Sequence, residues 1–299
     1  VGSWLAWRRA AAGADREPVP HLLRDQVQFC MSSGFALLVA TLSRNVGNLA
    51  VVKWLGVVPL ALYTNGLYGE PVIVALRNSI SSILLPEMVR RGASSTREAA
   101  DLWRSASVIN CLLLLPCAVL LVRFAEPLVV LVFGAAYAGA AVVLQFYALV
   151  IVRECFDMTL PLRASKVTVP LVRSSLVGLL VNVLVLWLAL RTLGIRGAIL
   201  AMIVAGFAEL SYQAWCVNRL PGFALRTLLP WRSALKILLA ALAGALVLSA
   251  KLWGDAPRLP VIMLASAVYC GLYALFLWRM RVPELSLLQE WVRRRRSAA

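Results

Sequence analysis

The chain has 299 residues, of which 61% are hydrophobic, with a mean hydropathy of +0.82 and a formal net charge of +16. Soluble domains are closer to about half apolar, so these values predict a polytopic membrane protein. The basic residues lie between apolar segments rather than in a soluble basic module, which argues against a nucleic-acid partner. The lone His21 and the six scattered cysteines show neither metal-ligand nor CxxC spacing, so we expect no metal site, cofactor or disulfide framework.

Eight apolar segments follow one another along the chain, each close to the roughly 20 residues that a helix needs to span a bilayer. They predict an all-α polytopic membrane protein with eight transmembrane helices and short connections. The segments are placed at about 27–52, 60–89, 104–124, 138–162, 170–191, 196–218, 231–252 and 259–280.

Three regions are expected along the chain. Residues 1–26 are basic and contain two prolines that break any helix, which predicts a cytoplasmic linker. Residues 27–219 form a six-helix transport lobe, and 220–299 add two peripheral helices and a basic tail ending in Arg293–Arg296. The peripheral helices lack charged residues over most of their length, so they can face lipid on most sides. The tail is interpreted either as a helix on anionic lipid or as a solvated segment.

The distribution of basic residues predicts the orientation of the segments. One set of segment ends carries 21 Lys and Arg residues and the opposite set carries 6, alternating along the chain. Because short cytoplasmic connections are enriched in Lys and Arg, the richer set is assigned to the cytoplasm. Both termini are therefore expected in the cytoplasm. The chain begins at Val1 without a signal peptide, so we expect an N-terminal part to be missing.

The first two segments carry polar residues on one helical face. Arg44, Asn45 and Asn48 lie on the first, and Glu70, Arg77, Asn78 and Ser81 follow on the second. An arginine at mid-bilayer costs about 2.5–3.5 kcal/mol on insertion scales, so neither Arg44 nor Arg77 is expected to face lipid. We expect both to face the bundle interior or a wet cavity, where they would bind substrate.

Later segments add further ionisable residues. Arg153 is four residues before Asp157 and next to Glu154, so it is interpreted either as a substrate ligand or as the partner of Asp157 in a structural ion pair. Glu209 stands alone in the sixth segment and is a candidate proton carrier, with Glu154 and Asp157 as further candidates. The alternative for Glu209 is a neutral hydrogen-bonded side chain between helices.

Catalytic chemistry is not indicated. A Ser-His-Asp triad would need a histidine within the bundle, and no strand precedes a glycine-rich phosphate loop. We therefore do not expect an enzyme. A membrane glycosyltransferase or polymer ligase remains the alternative of another class, but it would need catalytic groups in an outer loop, where Glu126 and Asp255 are the evident acids.

A succession of short motifs resembles one family of membrane transporters. The motifs are Leu55-Gly56, Tyr63, Leu85-Pro86-Glu87, Phe124-Ala125-Glu126-Pro127, Phe133-Gly134-Ala135-Ala136-Tyr137, Ala140-Ala141, Asn182 and Leu193-Gly194-Ile195-Arg196-Gly197-Ala198. In this order they resemble the C-terminal half of polysaccharide-unit flippases in the multidrug/oligosaccharidyl-lipid/polysaccharide exporter superfamily. The resemblance covers about residues 27–219, and 220–280 match two extra helices that many members carry.

The resemblance implies two six-helix lobes around a cavity that opens alternately to each side of the bacterial cytoplasmic membrane. It implies a substrate of oligosaccharide repeat units on undecaprenyl diphosphate, moved outward for exopolysaccharide or lipopolysaccharide assembly. Membrane lipids, the missing N-terminal lobe and a polysaccharide polymerase are the implied partners. Many relatives carry an Asp late in the first helix, where this chain reads Arg44-Asn45-Val46-Gly47-Asn48, so a cation site there is doubtful. A lipid II flippase and a multidrug or ion antiporter of the same superfamily are the alternatives.

Overall fold

The structure is a computed structural model that describes residues 22–92, 95–248 and 259–280, and all regular structure in these ranges is helical. The described helices are α1 (Leu22–Leu55), α2 (Val57–Gly66), α3 (Glu70–Gly92), α4 (Thr96–Phe133), α5 (Ala140–Glu154), α6 (Thr159–Ala164), α7 (Val169–Leu193), α8 (Ile195–Val217), α9 (Leu225–Leu228), α10 (Trp231–Leu248) and α11 (Leu259–Met280), with a 3-10 turn at Ala135–Tyr137. Most of the expected linker 1–26 and the whole tail 281–299 lie outside the described residues.

The all-α membrane fold is confirmed, but the number of eight spans is not. Six helical segments of the described chain are long and apolar enough to cross a bilayer. They are Gln26–Leu55, Val57–Gly92, Thr96–Phe133, Val169–Leu193, Ile195–Val217 and Leu259–Met280. The expected segments 138–162 and 231–252 correspond to the shorter helices α5 with α6 and α10.

The helices pack in the order α1, α7, α8, α5, α4 and α3, with α2 lying between α1 and α5. The main buried core lies among α4, α5, α8 and α10 and contains Val108, Tyr147, Ile151 and Ile199. Helices α1 and α3 therefore stand at the two ends of this packing order. Helices α10 and α11 pack against each other and against α4, and Ile237 and Tyr273 of these helices belong to the main buried core.

Two segments expected as continuous helices are broken. The segment 60–89 is interrupted at 67–69, where Gly66 lies so close to α5 that a Cβ would meet Val143 Cβ at 2.5 Å. The segment 138–162 is interrupted between Glu154 and Thr159, because Asp157 binds the start of α6 with its side chain. Tyr68 at the first break is 70% exposed, whereas Asp157 at the second is buried.

The positions of two sharp turns follow from glycine. Gly56 separates α1 from α2 at φ 96°, and Gly194 separates α7 from α8 at φ 56°. Other residues rarely adopt a positive φ, so glycine permits a reversal without a longer loop. Helix α4 bends instead at Phe124, whose φ and ψ are −107° and 18°. Pro127 follows three residues later and removes the hydrogen bond to the Arg123 carbonyl, which explains the kink.

Candidate functional site

Four ion-paired side chains connect α3, α5 and α8 in a row. The Arg77 guanidinium donates to Glu154 and, at 3.0 Å, to Asn78 Oδ1. Arg153 Nη1 lies 3.7 Å from Glu154 Oε1, and its Nη2 donates to Glu209 Oε2 at 3.2 Å. Glu154 is therefore shared by two arginines, and Arg153 is shared by two carboxylates. We call the row Arg77, Glu154, Arg153 and Glu209 the ion-pair row.

Hydrogen bonds extend the ion-pair row to α7. Gln213 Nε2 donates to Glu209 Oε1 at 3.3 Å and to Ser174 Oγ at 3.0 Å. Ser175 Oγ donates to Glu209 Oε1 at 3.5 Å. Glu209 is thus neither isolated nor without a counter-charge, although it stands alone in the sequence of its own helix.

The ion-pair row lies near the middle of the bundle. Gly206 is the central residue of α8, and a Cβ added there would lie 2.8 Å from Arg153 Nη1. The absence of a side chain at Gly206 therefore makes room for the guanidinium at mid-depth. An unpaired charge at this depth would carry a penalty of several kcal/mol, which the alternation of arginine and carboxylate reduces.

A second ion pair joins the two ends of the packing order. Arg44 Nη1 of α1 donates to Glu70 Oε1 of α3 at 3.1 Å. The side chains of Arg44 and Glu70 are 58% and 24% exposed, so the pair is open on one side. The structure therefore places Arg44 at the α1–α3 boundary and not in the packed interior of the described bundle.

Asp157 has a different arrangement from the other carboxylates. Its Oδ1 accepts from Thr159 N at 3.0 Å and from Thr159 Oγ1, while Oδ2 accepts from Ser81 Oγ at 2.8 Å. These bonds cap α6 and tie it to α3. The i,i+4 pair of Arg153 with Asp157 does not form, because α5 ends at Glu154 and Asp157 leaves the helical path.

The remaining expected site residues lie around these groups. Asn45 is exposed and Asn48 is partly exposed, one helical turn from Arg44 on α1, while Asn78 is exposed on α3. Asn182 binds a neighbouring helix, as the sequence suggests, because its Nδ2 donates to the Ser43 carbonyl at 3.0 Å. The structure thus brings Arg77, Asn78 and Arg153 into one network through Glu154. Ser81 binds Asp157 separately, and Arg44 joins α1 to α3 through Glu70.

Several participants were not predicted as site residues. The sequence places Glu70 on the polar strip and Gln213 one turn from Glu209, but it does not indicate that Glu70 pairs with Arg44 or that the serines of α7 take part. Tyr147, which is 1% exposed, has a buried hydroxyl without a hydrogen-bond partner among the described residues. In the described part of the chain, no group of three or more His, Cys, Asp or Glu residues is placed to hold a metal ion.

Comparisons with known proteins find one family that matches part of the sequence and a solved structure with a similar fold. A family described as "Polysaccharide biosynthesis protein" matches residues 14–142, which is less than half of the chain. The fold is similar to the solved structure "Lipid II flippase MurJ, inward closed conformation", with a TM-score of 0.68 and 15% sequence identity. That match covers 87% of this chain and 55% of the flippase, so the chain spans little more than half of its length. No curated protein sequence matches the chain.

The two matches agree with the motif pattern in the sequence. The first match is to a polysaccharide biosynthesis family, and the second is to the fold of a lipid II flippase, as the resemblance of the motifs to polysaccharide flippases implies. At 15% identity, the structural match bears on the fold alone. The roles of individual residues have to be argued from the ion pairs themselves.

Proposed function

We propose that this chain, with its flippase fold and its match to a polysaccharide biosynthesis family, helps to move lipid-linked oligosaccharides across the bacterial cytoplasmic membrane. The observation that carries the proposal is the Arg44–Glu70 pair, which joins two helices at mid-depth and remains open on one side. A purely structural pair would be better shielded from competing anions. An open pair can exchange its carboxylate for a passing phosphate.

The exchange keeps Arg44 paired with an anion while it releases Glu70. A guanidinium binds phosphate and carboxylate oxygens with the same planar geometry, so Arg44 can leave Glu70 for a diphosphate without becoming unpaired. Arg77 and Arg153 are less exposed, at 22% and 24%, and already hold carboxylates. Arg77 and Arg153 would exchange their carboxylates for substrate after Arg44 does, when substrate shifts α3 relative to α5. The net binding energy stays small, which suits transit better than retention.

Polar side chains near Arg44 and Arg77 would meet the sugars. Asn45, Asn48, Asn78 and Ser81 offer amide and hydroxyl groups that can replace water around sugar hydroxyls at little net cost. The undecaprenyl tail would remain in the bilayer. In this proposal the chain makes and breaks no covalent bond and needs neither a metal nor a cofactor.

The proposed setting is a multi-pass protein of the inner membrane with both termini in the cytoplasm. Residues 27–219 would form one lobe, residues 1–26 would link it to a second, N-terminal lobe, and residues 220–299 would add the peripheral helices and tail. The second lobe would close the cavity beside α1 and α3. A polysaccharide polymerase would use the exported repeat units.

The proposal predicts that Arg44→Ala and Arg77→Ala each abolish polymer export while the protein still inserts. The measurement is complementation of export in cells that lack the native transporter, with membrane levels determined by immunoblot. Wild-type export by both variants would refute the assignment of these residues to the translocation path.

The charge-swapped variant Arg44→Glu/Glu70→Arg separates a substrate contact from a structural pair. It restores the α1–α3 ion pair but moves the guanidinium to α3. A substrate contact at Arg44 predicts little export from the swapped variant, whereas a structural pair predicts recovery toward the wild-type rate. Glu70→Gln is the matched single variant, because it removes the counter-charge and leaves Arg44 in place.

A lipid II flippase is the second candidate, favoured by the fold of the matched flippase. The two candidates differ in the sugar attached to the same polyprenyl diphosphate. Reconstitution of the complete transporter with fluorescent lipid-linked substrates would distinguish them. Faster flipping of lipid II than of oligosaccharide repeat units would favour the second candidate over the first.

A further inference from the structure

The antiparallel hairpin of α7 and α8 has a register that fixes which residues are neighbours. The contacts that show the register are Gly197 with Ala189, Gly178 with Glu209, and Ser174 with Gln213. Each step toward the start of α7 is matched by an equal step toward the end of α8. Continuing the register by one residue places Arg173 of α7 at the level of Ala214 of α8, and Trp215 follows one residue later.

At this end of the hairpin an arginine is stacked on an exposed indole. The Arg219 Cζ atom lies 3.7 Å from the centroid of the Trp215 ring, and the Tyr212 ring lies 5.7 Å from the same ring. Stacking holds the planar guanidinium by its face and leaves the N–H groups on its edge available. Arg173 is exposed on α7 at the same level of the hairpin.

These two arginines differ from those at mid-depth in their partners. Arg44, Arg77 and Arg153 each have a carboxylate within 4 Å. Among the residues that the structure describes, Arg173 and Arg219 have none, and both are exposed. Two neighbouring positive charges without a counter-ion attract an anion, and their exposure allows it to approach from outside the bundle.

The depth of the pair matches that of lipid headgroups. With a rise of 1.5 Å per residue, Trp215 lies about 14 Å and the end of α8 about 17 Å from Gly206 at its centre. The hydrocarbon half-thickness of a bilayer is about 15 Å, so Trp215 is at its boundary and Arg219 is just beyond it. Arg173 lies deeper, but its long side chain can extend toward the same level.

We propose that Arg173, Trp215 and Arg219 form a binding site for the phosphate of an anionic glycerophospholipid. The phosphodiester would accept charge-assisted hydrogen bonds from both guanidinium groups. Its acyl chains would lie along Trp215, which is 49% exposed, and along the apolar surface of α8. The site lies on the outer surface of the α7–α8 hairpin and does not depend on the transport proposal.

The test measures thermal stability of the full chain, purified in a neutral detergent, with added dioleoyl phosphatidylglycerol or dioleoyl phosphatidylcholine. We expect the anionic lipid to raise the melting temperature of the wild type more than the zwitterionic lipid does. Arg173→Gln/Arg219→Gln should lose at least half of this difference. An unchanged difference in the double variant would overturn the proposal.

A matched control is present at the opposite end of the bundle. Trp54 has Lys53 Nζ at 5.7 Å and Arg191 Cζ at 5.9 Å from its ring centroid. Lys53→Gln/Arg191→Gln removes the same charge beside an exposed tryptophan and should keep the lipid effect. Equal losses in the two double variants would indicate diffuse attraction and would contradict a specific site.

Two further arms address folding and the source of the phosphate. The protein is delipidated and incubated with phosphatidylglycerol, and the bound lipid is then counted by mass spectrometry, which does not depend on melting. The Arg173→Gln/Arg219→Gln variant should bind less phosphatidylglycerol than the wild type. Glycerol 1-phosphate replaces the lipid in the last arm and should give no shift. A shift as large as that with phosphatidylglycerol would assign the site to free phosphate and overturn the lipid proposal.

Discussion

Arg153 occupies a position that a glycine on the neighbouring helix makes possible. Its guanidinium lies against Gly206 and reaches Glu209 one turn further along α8. Side chains of α5 and α8 would otherwise fill this space, and the arginine would be pushed out of the ion-pair row. The pairing of two helices at mid-depth therefore depends on the missing Cβ of one residue.

Gly206→Ala is expected to destabilise the lobe and to lower export. The new Cβ would lie 2.8 Å from Arg153 Nη1 and 3.3 Å from its Cδ, so the side chain must move away from Glu209. Overpacking of this kind costs about 1–3 kcal/mol. The readouts are thermal stability in detergent and polymer export.

Gly178→Ala provides the control, because Gly178 is on the opposite side of Glu209. A Cβ there would meet Glu209 Cβ at 3.6 Å, which is ordinary contact. Both substitutions gain the same intrinsic helix preference, about 0.5–1 kcal/mol, so their difference reports the displacement of Arg153. Equal stability of the two variants would show that Arg153 adapts freely.

Glu209→Gln is expected to abolish export if Glu209 carries a proton during the cycle. Glutamine keeps the size and one acceptor oxygen, so it preserves a hydrogen bond to Arg153 but cannot titrate. Export and thermal stability are measured together. If stability and export fall in proportion, Glu209 has a structural role. Arg153→Gln/Glu209→Gln would then recover stability, because it removes an arginine that has lost one of its two carboxylates.

At the scale of helices, the break between α5 and α6 gives Asp157 a structural role that the other carboxylates lack. Asp157 lies between α5 and α6 and binds Thr159 and Ser81 with both of its oxygens. Its place in the fold is explained by these bonds alone. Proton coupling through Asp157 remains a prediction that stability measurements can separate from capping.

Asp157→Ala is expected to lower stability by about 1–3 kcal/mol, because it leaves partly buried hydrogen-bonding groups of Thr159 and Ser81 unpaired. Asp157→Asn should be close to wild type in stability, since its Oδ1 can still cap α6 and Ser81 can accept from its amide. Export by the Asn variant decides between the roles. Normal export would exclude proton transfer through Asp157, whereas loss with normal stability would support it.

Local sequence patterns identify helix ends far better than helix partners. Gly56 and Gly194 mark reversals, because glycine adopts the positive φ that these turns require. The carboxylates that neutralise Arg77 and Arg153 are 77 and 56 residues away in sequence. Spacing rules describe only neighbours on one helix, so the polar residues could be predicted but their pairing could not.

The same limit explains the error about the second and fourth segments. Hydropathy is averaged over a long window, and the polar residues at the breaks, such as Asn65, Glu70 and Asp157, lie between apolar stretches. The first break coincides with the packing of Gly66 on α5, which is a tertiary contact, and the second with a local bond between Asp157 and Thr159. Periodicity therefore identified the helical membrane fold but could not show where a span would be divided.

For the whole molecule, the packing order leaves α1 and α3 without neighbours on their outer sides among the described helices. Exposed apolar residues such as Phe35, Leu38, Leu42, Val72 and Leu76 lie on these two helices. Lipid or a second lobe can cover this surface, and the Arg44–Glu70 pair lies at its centre. The orientation of the chain in the membrane decides whether the end of this surface near the α1–α2 junction or the opposite end faces the cytoplasm, from which substrate would be loaded.

The excess of basic residues predicts that the turn between α6 and α7 is cytoplasmic and that the turn between α4 and α5 is external. Ala136→Cys and Ser165→Cys place a thiol on an exposed residue of each turn. A membrane-impermeant maleimide should label the first in intact cells with a permeable outer membrane, and the second only after lysis. The unsubstituted chain is the background control, because Cys30 and Cys270 are already exposed. Reversed labelling would invert the orientation, and substrate loaded in the cytoplasm would then approach the Arg44–Glu70 pair from the end of the bundle where α1 and α2 meet.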